Sequence, residues 1–108
     1  MMHLPCPYLG AEVEWTEERE HHIAARHPEL VPAHRHRVAE ALADPDEVRR
    51  HLEYPNTRLF VRWFDDLLDG KNVVVATVSR PSPPVRHWIV TAWVTGRPAK
   101  GELEWKRP

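Results

Sequence analysis

The chain changes its hydrophobic period once, near Asp44-Pro45-Asp46, and that change constrains its fold more than any other feature. Ahead of it the apolar residues recur at helical spacing. Thr16 is a good N-cap, and Glu17 and Glu18 follow in the first turn, where the helix dipole favours acids. The spacing predicts a helix over 16–27, stopped by Pro28. Pro32 suits the first turn of a second helix over 32–43, with Val38, Ala41 and Leu42 as its apolar stripe. Beyond Asp46 the pattern alternates. Strands are predicted over 47–54, 57–64, 71–79 and 85–94, and a short edge strand through Leu103 and Trp105.

Helices followed by alternating strands read as an α+β domain. The expectation is two N-terminal helices packed on one face of a four- to five-stranded antiparallel meander sheet. At 108 residues the chain makes a single domain. Residues 1–10, with Pro5, Pro7 and Gly10, read as an irregular arm; Ala11 to Trp15 is a short strand, and 96–108 is a tail.

The segment 85–94 shows two unlike faces. Trp88, Val90, Ala92 and Val94 form one, which suits a core. His87, Ile89, Thr91 and Trp93 form the other, with an imidazole, a hydroxyl and an indole. On residues 57–64, Arg58, Phe60, Arg62 and Phe64 share a side. An open sheet face bearing Arg, His, Thr and aromatic residues can meet phosphates and stack bases. It is equally what the solvent side of an ordinary antiparallel sheet carries.

Charge is distributed unevenly along the chain. Residues 1–48 hold four Arg against ten acids, a net of −6; residues 80–108 hold six basic residues against two acids, a net of +4. A basic sheet region opposite acidic helices suits a phosphate-bearing partner. No run of about 18 apolar residues is present, so no membrane span is expected. The N-terminus lacks a secretory pattern and Cys6 is the single cysteine, which together point to the cytoplasm.

Several chemistries lack their signatures. The eight His have no metal-site spacing: His21 and His27 are six apart, and His34 and His36 point to opposite sides. No metal and no cofactor are expected. There is no Gly-x-Ser-x-Gly elbow and no phosphate-cradling Gly-rich loop. A polar stripe on the first helix, Arg19, His22 and Arg26 with Ile23 at its edge, is a candidate cleft face or a solvated one. His27 and Glu29 bracket Pro28 at its end.

The order of these pieces resembles a known group. Val13-Glu14-Trp15-Thr16-Glu17-Glu18, then His22-Ile23, His27-Pro28-Glu29, Asp44-Pro45 and a late Ile89-Val90-Thr91-Ala92 is similar to the plan of the BrnT toxins. These form the phage-type branch of the barnase–EndoU–colicin–RelE nucleases. The likeness spans about residues 12–95. It implies two helices on a twisted antiparallel sheet, metal-independent RNA cleavage, and a neutralising antitoxin or similar protein. Carried over by position, it points to His22, Arg26 and His27 in the helical segment, Arg58 or Arg62 on the sheet, and Thr91, with Arg62 taken as the catalytic arginine. Arg58, Phe60, His87 and Trp93 are candidate substrate contacts. The reading is a metal-independent RNA endonuclease attacking through the 2′-hydroxyl, with RNA as partner. The alternatives are a catalytically silent RNA- or protein-binding module of the same fold, and a structural domain with Trp88 or Trp105 at an interface.

Overall fold

A computed structural model describes residues 1–108. The elements are strands β1 (Met2–Cys6) and β2 (Ala11–Trp15), helices α1 (Glu17–Arg26) and α2 (Arg35–Ala43), then β3 (Glu47–Arg50), β4 (Thr57–Phe64), β5 (Lys71–Arg80), β6 (Arg86–Thr95) and β7 (Glu102–Lys106). A 3-10 turn, Pro7–Leu9, joins the first two strands. The seven strands form one sheet in the order β1-β2-β6-β5-β4-β3-β7.

This sheet corrects the expected four- to five-stranded antiparallel meander. It is mixed: β2 runs parallel to β6, with Glu14 opposite Trp88. The parallel pair follows from connectivity: α1 and α2 carry the chain across to β3, and three antiparallel reversals through β4 and β5 then bring β6 beside β2. The irregular arm is corrected too. Met2, Leu4 and Cys6 alternate inward, and β1 pairs antiparallel with β2 from Met2 opposite Trp15 to Cys6 opposite Ala11. At the other end β7 pairs with β3 as an edge.

Helix α1 begins where its cap dictates: Thr16 Oγ1 accepts from Arg19 N–H at 3.2 Å. Ile23 is its buried residue. Helix α2 begins at Arg35, three residues after Pro32, since Leu30 to His34 close as turns and bury Leu30 and Val31. Val38, Ala41 and Leu42 then face inward. Both helices cover one face of the sheet, where 17 residues form the main core, including Trp15, Phe60, Phe64, Val75, Ile89 and Ala92. The opposite face holds a small cluster of Leu59, Val61, Val74 and Ala76, with Trp93 and Ala99 packed on it.

A β-bulge decides which residues of β6 face the helices. Thr91 lies opposite Ala76 but Ile89 lies opposite Thr77, so Val90 is an extra residue. Ile89 and Ala92 are both buried in the main core as a result. The predicted assignment of Val90 to the core, and of His87 and Ile89 to the open face, is therefore corrected. Val90 lines the open face, whereas His87, opposite Ser79, lies on the face of Val75 and Thr77. The side of β4 bearing Arg58 and Arg62 is likewise the covered one, because Phe60 and Phe64 are buried beneath the helices. Both arginines lie where long side chains can reach outward past that core.

Candidate functional site

The sheet divides the residues that the sequence grouped as catalytic. His22 and Arg26 lie exposed on α1, and His27 caps its end with Nδ1 3.5 Å from the Glu29 carboxylate. Arg62 is on β4, paired with Asp44 at 3.2 Å and stacked 5.1 Å from the Phe64 ring. Thr91 faces away from both helices. His22, His27 and Thr91 share no cleft. Phe60 is fully buried, which corrects its expected contact with substrate. No group of three His, Cys, Asp or Glu converges as a metal-ligand set.

Thr91 and Trp93 do meet, on the open face. Two adjoining concavities of about 400 and 620 Å³ lie there and share His51, Leu59 and Trp93. Tyr54 and Pro55, from the β3–β4 connection, wall one end; Pro98 and Ala99 wall the other. His51 Nδ1 accepts from the N–H groups of Glu53 (3.0 Å) and Tyr54 (3.2 Å), so the ring is fixed and Nε2 is its free nitrogen. The Tyr54 ring lies against it at 4.8 Å. Arg97 and Lys100 line the far part of the groove. The result is an apolar trough with aromatic surfaces, two cations and one carboxylate, that of Glu53.

The other concentration of polar groups lies on the covered face, at the end of the sheet that the helices leave bare. The Tyr8 hydroxyl donates to Glu104 Oε1 at 2.6 Å. Arg58 Nε donates to the same oxygen at 2.9 Å, and Arg50 Nε to Oε2 at 3.1 Å. Burial pushes the Glu104 carboxyl up, but hydrogen bonds from Tyr8 and Arg58 outweigh it and hold the group below the usual carboxylate range. Tyr8 is driven up to about 12 by burial and by its acidic partner. On the neighbouring strands, His87 Nδ1 lies 2.7 Å from Ser79 Oγ. Burial, then the nearby Arg58 charge, lowers the His87 pKa, so its neutral form prevails near neutral pH. Burial raises the Cys6 thiol, which leaves it un-ionised.

The β3–β4 connection joins the two regions. Pro55 and Asn56 line the groove, while their carbonyls accept from Arg50 Nη1 (3.1 Å) and Ser79 N–H (3.0 Å). Sequence reasoning named Arg58 and His87 but missed Tyr8, Arg50 and Glu104. Tyr8 and Glu104 are 96 residues apart, one in the supposed arm and one in the tail. The alternation of Met2, Leu4 and Cys6 was the available sign that the arm is a strand. Compared with known proteins, the chain matches no family model, no curated protein and no solved structure.

Proposed function

We propose that this protein binds single-stranded RNA along the open face of its sheet and cleaves it without a metal ion, through attack by the 2′-hydroxyl. One observation carries the reading: a continuous groove whose Trp93, Tyr54 and His51 rings are accompanied by Arg97 and Lys100. Aromatic surfaces take unpaired bases at about 1–3 kcal/mol each, and cations beside them take the phosphates. The basic balance of residues 80–108 supports the same partner. The test uses a fluorescent RNA oligonucleotide with EDTA present. The expected results are binding that weakens with salt and products ending in 2′,3′-cyclic phosphate. RNA left uncut at saturating protein in EDTA sinks the cleaving reading.

A second reading, a binding module without catalysis, draws on Glu104. Its carboxylate already accepts from three side chains, which suits a structural clasp. Salt-dependent binding with no cleavage is its signature.

A further inference from the structure

We infer that the reactive centre of this RNA-cleaving protein is the patch on the covered face where Arg58 stands beside both His87 and Glu104. In it His87 is the proton acceptor, and Arg58 and Arg50 are the cations that hold the phosphate. The inference rests on the cleaving reading above and assigns its chemistry to residues outside the groove.

Three observations carry it. Of the eight imidazoles, His87 alone combines partial burial, a side-chain hydroxyl at 2.7 Å and a place across β5 from Arg58 on one face, Arg58 lying opposite Thr77 and His87 opposite Ser79. The proposed tautomer has Nδ1 donating to Ser79 Oγ, which leaves Nε2 a free lone pair. Arg58 spends Nε on Glu104, and its two Nη groups make no hydrogen bond within the protein. Glu104, held in turn by Tyr8, is then a positioning residue that fixes the guanidinium plane. Finally, the patch and the groove lie at the same end of the sheet. Pro55 and Asn56, which line the groove, bond through their carbonyls to Arg50 and Ser79. An RNA chain leaving the groove over this connection meets Arg50 and Arg58 before His87.

The step balances with water as the only co-reactant. The 2′-hydroxyl proton passes to His87 Nε2 as the 2′-oxygen bonds to phosphorus. The bond from phosphorus to the 5′-oxygen breaks, and the leaving oxygen takes a proton from water. His87 then returns its proton to the hydroxide formed. The products are a 2′,3′-cyclic phosphate and a 5′-hydroxyl.

The charged group that acts on His87 is Arg58 of β4. Arg58 in turn faces Glu104 of β7, which Arg50 of β3 and Tyr8 of the 3-10 turn also hold, and Cys6 of β1. Arg86 and Arg80, at the nearby strand ends, are bonded to Glu14 and to the Pro84 carbonyl.

The experiment compares wild type, His87→Gln, Ser79→Ala, Arg58→Lys and Trp93→Ala on one RNA oligonucleotide, measuring binding and cleavage separately. His87→Gln should lower kcat by about 10²–10⁴-fold with little change in RNA affinity. Trp93→Ala should raise KM instead. Wild-type cleavage should lose activity in acid with a midpoint below 6.5, the ordinary histidine value, and Ser79→Ala should move that midpoint. Arg58→Lys should rescue poorly, since a point charge lacks the planar fork. Cleavage by His87→Gln at the wild-type rate overturns the assignment and leaves the cleaving reading standing. Wild type that binds but never cuts overturns both. Should His87→Gln fail to fold, an unshifted acid midpoint in Ser79→Ala overturns the assignment.

Discussion

The two faces of the sheet are built from similar alternating apolar residues and end in different states. The covered face contributes ten buried strand residues to a core of 17 that α1, α2 and connecting segments complete. The open face gathers four, and its cover is a loop residue, Ala99, with the indole of Trp93. Helices bring whole apolar stripes, so they seal a face; a connection brings one or two side chains and leaves a trough beside them. Binding capacity on this molecule thus arises where cover is incomplete.

The largest expected effect tests that contrast in stability. Phe60→Ala empties a fully enclosed site and should cost about 3–5 kcal/mol in urea unfolding. Leu59→Ala, on the other side of the same strand, borders the groove and can collapse into it; about 2 kcal/mol is expected. Equal losses would break the contrast. Next is the turn that carries the loop over the open face. Gly101 has φ +105°, and a Cβ there would lie 2.7 Å from the Arg50 carbonyl oxygen. Gly101→Ala should cost about 1–3 kcal/mol and loosen the pairing of β7 with β3, visible in amide exchange.

A third test concerns the ionic patch and alkali. The folded-state pKa of Tyr8 is raised to about 12 from an ordinary 10, so its contribution to stability is complete below pH 10. That contribution falls as pH rises through 12. Tyr8→Phe should flatten the alkaline slope of a denaturation series. Glu104 has the opposite sign: its pKa is depressed, so its contribution is present above the ordinary value of 4.5 and is lost on acidification. The smallest effect is expected at Thr77, whose hydroxyl is fully buried without a partner. Thr77→Val keeps the shape and removes a desolvated polar group, so a gain of up to about 1 kcal/mol is expected in the same unfolding assay.

What the sequence revealed was what local chemistry determines. Thr16 announces α1 through its cap, and the β-branched run Val73-Val74-Val75 announces β5. The parallel pairing of β2 with β6 had no local sign, because it depends on where two helices return the chain. The faces of β4 were misjudged because Arg58 and Arg62 look like solvent residues, although they share a side with Phe60 and Phe64. Of the candidate site, Thr91 and Trp93 were legible as open-face residues. The Tyr8–Glu104 contact joins the first strands to the last and is visible only after folding.

The extra residue in β6 also has a genetic meaning. Pairing resumes on both sides of Val90, with Ile89 opposite Thr77 and Thr91 opposite Ala76. Losing the single codon for Val90 would splice these halves into regular alternation, with every inward side chain still inward. Losing a codon of β5 or β6 away from this bulge would turn part of a strand inside out. The hairpin therefore contains one site where its reading can shorten by a residue without inverting its faces.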